Sequence, residues 1–207
     1  MYIPKPNEVF DRAVLLEAMR AYSFAILFGP VDNGIGAARH HATHLPLVVK
    51  DEGAYGVLEG HFAMANPHWR SLANRETLIV FPGPHSYVSP SLYAERQSVP
   101  TWNYIAIQAY GRLQTVEDGT SKEALLLDLI QANEPEYAEQ WHSLPDRYRR
   151  AMLAGIVGFR IAIDRLEGKF KISQNRPEID WRAVQAAHSS GSDDQRALAE
   201  WMKRLIG

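Results

Sequence analysis

The stretch from residue 99 to residue 116 most constrains what this chain can fold into, because its side chains alternate between two kinds. One side carries Ile105, Ile107, Ala109, Gly111 and Leu113, and the other carries Tyr104, Gln108, Tyr110 and Arg112. A period of two is the signature of a β-strand that packs only one face on a core. Pro100 lacks a backbone N–H and therefore belongs at or before the first strand residue. We predict a long, central strand here.

Composition places the chain among ordinary globular proteins. Its 207 residues are 46% hydrophobic and 22% charged, and no apolar run approaches the ~20 residues that a membrane span needs. The first residues lack the charged-then-apolar plan of a signal peptide, so we expect a soluble, cytoplasmic protein. The absence of cysteine excludes disulfides, thiolate metal sites and a cysteine nucleophile.

Charge and histidine placement narrow the function classes. The 22 basic and 24 acidic residues give a net charge of −2, which leaves no global attraction to nucleic acid, so DNA binding would require a local patch. Histidines 40, 41, 44, 61, 68 and 85 all lie in the first half. In a strand His40 and His44 share a face while His41 points away, and no carboxylate follows at a ligand spacing, so no metal site is predicted. The sequence also lacks a Gly-x-Ser-x-Gly elbow, a dinucleotide fingerprint and a P-loop.

The flanking segments predict short strands and then helices. Asn7 is expected to cap a helix carrying Phe10, Val14, Leu15 and Met19. Strands are expected over 23–28, 38–49, 55–64, 77–81 and 156–166, with a tight hairpin at Asn33-Gly34, a bend at Pro46 and a turn over 82–84 before an extended segment at 85–90. Helices are expected over 68–72 (capped by Asn66), 122–131 (opened by Ser121), 137–142 and 146–153, with two more begun by Asp180 and Ser192.

This order predicts a mainly β protein with helices, in the α+β class. Strands joined by tight turns favour a closed or nearly closed antiparallel barrel with helical cover. We expect one domain over residues 1–207, with the barrel at about 23–176, a helical insertion at about 121–153 and C-terminal helices at about 178–206.

Two polar segments are candidates for ligand binding. Thr101, Trp102 and Asn103 offer a hydroxyl, an indole N–H and an amide to a planar polar ligand, although Trp102 and Tyr104 also suit ordinary surface aromatics. In the run 168–176, Lys169, Lys171 and Ser173 share a face, and Gln174, Asn175 and Arg176 add donors. That run suits a phosphate or a flavin edge, or equally an edge strand protected by its lysines.

Five motifs in series carry a family resemblance. They are Leu45-Pro46, Gly60-His61 with Ala65-Asn66-Pro67-His68-Trp69, Tyr87-Val88-Ser89-Pro90, Val99-Pro100-Thr101-Trp102-Asn103-Tyr104 and the run 168–176. Together they resemble the PaiB family, and they cover nearly the whole chain. The resemblance implies an FMN-binding split β-barrel related to the pyridoxamine-phosphate-oxidase superfamily, whose PaiB members are described as negative transcriptional regulators.

The resemblance also implies where FMN is held. The strands with Thr43-His44 and Gly60-His61 correspond to those that handle the phosphate and ribityl chain, and 101–104 lies where the isoalloxazine edge is met. A two-fold dimer is implied, in which Tyr87, Ser89 and 169–175 reach the partner's cofactor. The predicted cofactor-binding residues are Thr43, His44, His61, Asn66, Tyr87, Ser89, Thr101, Trp102, Asn103, Tyr104, Lys169, Lys171, Gln174 and Asn175; no catalytic residue is predicted.

Three functions follow as hypotheses. The first is a homodimeric FMN-binding protein acting in transcriptional control or flavin-dependent sensing. The alternatives are a flavin-dependent oxidoreductase acting on a small molecule and a heme-binding split-barrel protein, because fold alone does not decide function. Lys169 and Lys171 are expected to be the main cationic contacts of FMN, since the barrel strands offer only histidines, which are largely neutral at pH 7. If they are not, the phosphate is expected at His44 and His61.

Overall fold

A computed structural model describes residues 1–31 and 39–207, and these residues form two compact units. The first unit comprises Met1–Leu15, Pro82–Ile107 and Glu167–Gly207, and the second comprises Leu16–Phe81 and Gln108–Leu166. The predicted hairpin residues Asn33 and Gly34 lie outside the described residues. None of the helices in the described ranges has the length and apolar character of a membrane span.

The described residues contain strands and helices in the predicted order. The strands are β1 (Glu8–Val9), β2 (Phe24–Val31), β3 (Arg39–Pro46), β4 (Val48–Lys50), β5 (Val57–Ala63), β6 (Glu76–Val88), β7 (Thr101–Val116) and β8 (Ile156–Lys171). The helices are α1 (Arg12–Ala21), α2 (His68–Leu72), α3 (Gly119–Asn133), α4 (Tyr137–Ser143), α5 (Asp146–Ala154), α6 (Glu178–Ser189) and α7 (Asp193–Leu205). The α+β class is therefore confirmed.

The strands of the sheet follow the order β3-β2-β6-β7-β8-β5-β4. Strands β6, β7 and β8 each have residues in both units, whereas β2 to β5 lie wholly in the second unit. In the second unit β2 pairs antiparallel with both β3 and β6, so Ile26 lies opposite both His44 and Val80, and β5 pairs antiparallel with β8, so Gly60 lies opposite Phe159. The predicted pairing of β2 with β3 is thus confirmed. The strand expected over 38–49, with a bend at Pro46, is instead divided into β3, which ends at Pro46, and β4, which begins at Val48. Leu27, Phe62 and Phe159 are fully buried in this unit, and Phe62 packs on Phe159 with ring centroids 5.0 Å apart.

In the first unit β1 pairs antiparallel with the end of β8, with Glu8 opposite Lys169. Helices α6 and α7 pack on each other. Trp201 of α7 meets Phe170 of β8 edge to face, with ring centroids 5.3 Å apart, and Phe170 is fully buried. The extended run predicted as a separate segment at 168–171 is therefore the end of β8, so the strand predicted to end at 166 is longer than expected.

The N-terminal helix begins later than predicted. Asn7 is buried in a short 3-10 turn, and α1 begins at Arg12. Asp11 caps that helix, because its carboxylate accepts hydrogen bonds from the backbone N–H groups of Ala13 (2.8 Å) and Val14 (3.3 Å). Phe10 is 80% exposed and lies outside the helix, so its place in the predicted apolar stripe was wrong.

The predicted turn over 82–84 is also wrong, since β6 runs without interruption from Glu76 to Val88. Pro82 and Pro84 are two residues apart, so the N–H groups that they lack belong to the same edge of β6. The pairing of β6 with β2 covers residues 78–80, which precede both prolines. Gly83 lies against Ile105, where an added Cβ would stand 2.9 Å from the Ile105 Cβ. A Pro-Gly-Pro sequence therefore continues the strand here.

Two helix starts also differ from the sequence prediction. Asp118, not Ser121, caps α3, because the Asp118 side chain accepts from the Ser121 N–H at 2.8 Å. Helix α6 begins at Glu178, and Asp180 lies buried in its first turn, where it accepts from the Ala94 N–H at 2.9 Å. Ser192 caps α7 as predicted, with a reciprocal Ser192–Gln195 capping box.

Candidate cofactor-binding site

A small polar cavity in the first unit gathers several of the predicted site residues. Its volume is about 70 Å³, room for about two water molecules or one phosphate group. The residues that line it come from the start of β7, the end of β8 and the segments beside them: Tyr93, Thr101, Asn103, Lys171, Ser173, Asn175 and Arg176. Most of these side chains carry hydrogen-bond donors, so the cavity suits an anion.

Lys171 is the partly buried cation of this cavity. Its Nζ donates to the Trp102 carbonyl oxygen at 2.7 Å and to the Thr101 hydroxyl. An ammonium has three donors, so these two bonds within the described chain leave one for a ligand. Burial lowers the pKa of Lys171, and the positive charges of Lys169 and Arg176 lower it further. A bound anion would oppose both charges and favour the ammonium form.

Asn103 and Ser173 form the buried floor of the cavity. The Asn103 amide donates to Ser173 Oγ at 2.9 Å, and the Ser173 hydroxyl donates to Asn103 Oδ1 at 3.2 Å. Ser173 adopts φ 67°, a left-handed conformation that turns the chain directly after β8. Gln174 secures the same turn, because its Oε1 accepts from the Ile172 N–H at 2.8 Å and its Nε2 donates to the Phe170 carbonyl.

Arg176 and Tyr93 complete the cavity. The Arg176 guanidinium lies 4.1 Å from the centroid of the Tyr93 ring, a cation–π contact that fixes its position. The Tyr93 hydroxyl is buried and has no hydrogen-bond partner among the described residues. A ligand oxygen in the cavity would supply the missing partner of this hydroxyl. The available donors therefore fit the phosphate of FMN, while the flavin ring needs more space than this cavity has.

Lys169 lies on the same strand as Lys171 but has different partners. Its Nζ donates to the Tyr2 carbonyl at 3.1 Å and lies 5.2 Å from the Tyr104 ring centroid and 5.6 Å from the Tyr2 ring centroid. The side chain is buried, with 9% exposed. Lys169 and Tyr104 thus hold the N-terminal segment in the described structure, and neither lines the polar cavity.

Tyr87 and Trp102 belong to an exposed aromatic cluster of the first unit, together with His85. The Trp102 ring centroid lies 6.0 Å from that of His85 and 6.2 Å from that of Tyr87. Trp102 is 52% exposed and Tyr87 49% exposed. Asp194 stands 3.4 Å from His85 Nδ1. Ser89 instead caps a 3-10 turn, accepting from the Ser91 N–H at 3.2 Å, so it has a local structural role.

In the second unit Thr43 and Asn66 meet around a histidine. Thr43 Oγ1 lies 2.8 Å from His68 Nδ1, and Asn66 Nδ2 donates to the same hydroxyl at 3.5 Å. Asn66 Oδ1 also accepts from the His68 N–H at 3.0 Å, which fixes the start of α2. His68 is fully buried, and burial lowers its pKa, partly offset by the Gly29 backbone. Sequence reasoning left His68 out of the site, although it belongs to the motif 65–69.

His44 and His61 do not join that network. His44 is exposed and stacks on Phe24 with ring centroids 6.1 Å apart, on the strand face opposite Thr43. His61 lines a separate cavity, together with residues of helices α3, α4 and α5. Within residues 1–31 and 39–207, no group of three or more His, Asp or Glu side chains could hold a metal ion. Tyr93 was also missed, and no sequence pattern marked it.

Solved flavin proteins share this fold. The flavocytochrome Anf3 from Azotobacter vinelandii aligns with a TM-score of 0.58 at 15% identity, covering 79% of this chain and 68% of that chain. The FAD- and heme-binding protein from Mycobacterium smegmatis aligns with a TM-score of 0.59 at 15% identity, covering 80% and 73%. At such identity the likeness defines the class by fold alone, and it confirms the predicted split-barrel class.

Sequence comparison then defines the family. Residues 1–165 match the family described as "Putative FMN-binding domain". The "Protease synthase and sporulation protein PAI 2" of Bacillus subtilis (strain 168) is 32% identical over 206 residues, which cover 98% of this chain and 97% of the relative. This chain belongs to the PaiB family of FMN-binding proteins, and the resemblance seen in the five motifs is confirmed, with FMN as the family's cofactor.

Proposed function

We propose that this protein binds FMN through the polar cavity of the first unit and acts as a flavin-dependent sensor in transcriptional control. The observation that carries the proposal is the convergence of Thr101, Asn103, Lys171 and Asn175 on one phosphate-sized cavity, in a chain of an FMN-binding family. These four residues were all predicted from the sequence. Bound FMN supplies a ring that accepts and returns electrons, which is the chemistry a redox sensor needs.

The cavity residues explain how a phosphate would be held. FMN carries nearly two negative charges at neutral pH, and removing them from water must be offset by donors, preferably charged ones. Lys171 provides a partly buried ammonium, and Arg176 provides a guanidinium held on Tyr93. We assign the main cationic contact to Lys171 rather than Lys169, because Lys171 lines the polar cavity and Lys169 does not.

The regulatory part of the proposal is supported by the name of the Bacillus relative, which links that protein to protease synthesis and sporulation. The net charge of −2 offers few groups to neutralise DNA phosphates. Because of this low net charge, we expect specific DNA binding to be weak or to need another component. Nanomolar specific binding by the pure protein in a gel-shift titration at physiological salt would contradict this expectation. We propose that the protein is cytoplasmic, as expected from the sequence.

A flavin-fluorescence titration tests FMN binding and its site together. Lys171→Met keeps the aliphatic stem and removes the charge, so FMN affinity should fall by about 1.5–3 kcal/mol. Lys169→Met should leave the affinity within about twofold, as should Lys203→Met on the exposed face of α7, the matched control. Equal affinities for Lys171→Met and wild type, with both proteins folded, would remove this cavity from the FMN site.

The same preparation separates the alternative functions. Flavin absorption bands with no change on adding NADH or NADPH support a sensor, whereas bleaching of those bands by either nucleotide supports a flavin-dependent oxidoreductase. A Soret band in protein purified from a native-like host would instead support the heme-binding alternative.

A further inference from the structure

A second cavity, which the proposed FMN site does not use, lies in the second unit beneath the three helices α3, α4 and α5. Its volume is about 330 Å³, at the lower end of the ~300–1,000 Å³ typical of small-molecule sites. Leu126 and Ile130 of α3 and Ile156 of β8 form aliphatic walls, and Tyr137 and Trp141 of α4 form aromatic ones. The cavity is therefore apolar on most sides.

Trp141 is held rigidly in this wall. It is buried, and its indole N–H donates to Glu123 Oε1 at 3.0 Å. Arg149 of α5 donates to the same carboxylate oxygen at 2.8 Å, so one carboxylate ties all three helices together. Because the indole N–H is already paired, Trp141 offers the cavity only its ring. The flat wall is present before any ligand arrives, which lowers the entropy cost of binding.

His61 brings an imidazole to this cavity, whose other polar side-chain groups are the hydroxyls of Tyr137 and Tyr148 and the indole N–H of Trp141. Its Nδ1 is buried and has no hydrogen-bond partner among the described residues. Burial lowers the pKa of His61, so the ring is neutral at pH 7 and carries one donor and one acceptor. Buried polar atoms in folded proteins nearly always have partners, so Nδ1 marks a place where a ligand atom would complete a bond.

The mouth of the cavity is formed by α5. Tyr148 and Met152 line the cavity and are 50% and 44% exposed. Methionine is flexible and polarizable and adapts to aromatic surfaces, which suits an entrance that must admit a ring. No Lys, Arg, Asp or Glu lines the cavity among the described residues, so a charged ligand, including the FMN phosphate, would be poorly accommodated.

We propose that this cavity is a second binding site, for a small neutral aromatic molecule of one or two rings whose single hydroxyl or N–H group bonds to His61. The rings pack between the aliphatic residues of α3 and the Trp141 ring, and the polar group meets Nδ1. Binding here does not depend on the proposed FMN site, and it gives a sensor of this family a place to recognise a phenol- or indole-like compound.

The test uses the full chain and two probes, 2-naphthol and 2-methoxynaphthalene, which share their rings but differ in the O–H donor. In calorimetric titrations, wild-type protein should bind 2-naphthol about five- to tenfold more tightly, the usual effect of one hydrogen bond. His61→Leu should abolish that preference and leave both probes at the weaker affinity. Ile130→Trp, which fills the cavity, should weaken both probes tenfold or more. His142→Gln, on the exposed side of α4, is the matched control and should change neither.

Several results would overturn the proposal. They are a wild type that binds neither probe, a naphthol preference that survives in folded His61→Leu, and binding of both probes unchanged in folded Ile130→Trp. If His61→Leu does not fold, Ile130→Trp decides. Displacement of 2-naphthol by saturating FMN would also overturn it, by assigning the cavity to the flavin. A loss of FMN affinity in Lys171→Met tests only the proposed FMN site. It neither supports nor contradicts the proposed aromatic site at His61.

Discussion

Asn103 and Ser173 exchange two hydrogen bonds although 70 residues separate them in the chain, at 2.9 Å from Asn103 Nδ2 to Ser173 Oγ and 3.2 Å in return. Both side chains are buried, with 1% and 4% exposed. The pair joins the start of β7 to the turn that follows β8. Both residues line the polar cavity together with Lys171 and Asn175. The shape of the polar cavity therefore depends on this bond.

Substitutions at Ser173 separate the hydrogen bond from the backbone conformation. Ser173→Ala should lower the free energy of unfolding by about 1–3 kcal/mol, because it leaves the buried Asn103 amide unpaired. Ser173→Gly loses the same hydroxyl but adopts φ 67° without the cost of a Cβ, so it should be about 1 kcal/mol more stable than Ser173→Ala. Urea denaturation measures both values. Equal stabilities of the two variants would show that the left-handed conformation carries no cost.

Gly111 is expected to be irreplaceable in the second unit. A Cβ added there would stand 2.2 Å from the Ala162 carbonyl oxygen, a backbone atom of the neighbouring strand that cannot move aside easily. Gly111→Ala should lower the unfolding free energy by at least about 2 kcal/mol. Gly119→Ala at the start of α3 is the control, because nothing lies within 4 Å of the added Cβ. Thermal or urea unfolding with similar loss in both variants would refute the close approach.

Two buried histidines and one half-buried histidine predict a loss of stability in mild acid. Burial lowers the pKa values of His61, His68 and His188. Between each lowered pKa and the ordinary value near 6.5, the unfolded chain binds more protons than the folded one, so stability falls as the pH drops through that window and is regained above it. Urea unfolding at pH 7.5 should therefore give a larger free energy than unfolding at pH 5.5.

The histidine contribution can be isolated by substitution. His188→Leu should make the dependence on pH shallower, whereas His142→Gln, an exposed histidine of α4, should leave it unchanged. Burial raises the pKa of Glu59, which opposes the trend just above pH 4.5, so the comparison between variants matters more than the slope of wild type. An identical slope in wild type and His188→Leu would contradict a neutral, buried His188.

We expect a homodimer in solution, formed through the aromatic cluster of His85, Tyr87 and Trp102. Exposed aromatic surface of this kind usually marks an interface, and central tryptophans often dominate binding. Trp102→Ala should weaken dimerisation by about 2 kcal/mol or more. Ile179→Ala is the control, because Ile179 is also an exposed apolar residue of the first unit but lies outside the cluster, and this substitution should leave dimerisation unchanged. Light scattering at micromolar concentration measures the mass. A wild-type mass near 23.4 kDa would exclude the dimer.

The sequence by itself determined the features that depend on neighbours along the chain. The alternation in β7 is fixed by the geometry of a single strand, and every odd residue from Asn103 to Leu113 is buried. Helix α2, the break after Pro46 and the Ser192 cap also follow from local hydrogen bonding and proline chemistry. The turn predicted at Pro82–Pro84 was wrong. The local sequence shows that these residues suit a turn, but it cannot show whether they lie on a strand edge that has no partner, where prolines are also tolerated.

Only the tertiary structure decided how residues on one face differ in role. Lys169 and Lys171 are equivalent by strand periodicity, yet the segments beside them differ: Tyr2 offers a carbonyl to Lys169, and Thr101 and Trp102 offer oxygens to Lys171. His61 is likewise a strand residue whose setting depends on helices contributed by a segment more than fifty residues away in the sequence. Side-chain direction is set by the local backbone, whereas burial and hydrogen-bond partners are set by distant segments, and pKa and binding depend on the latter.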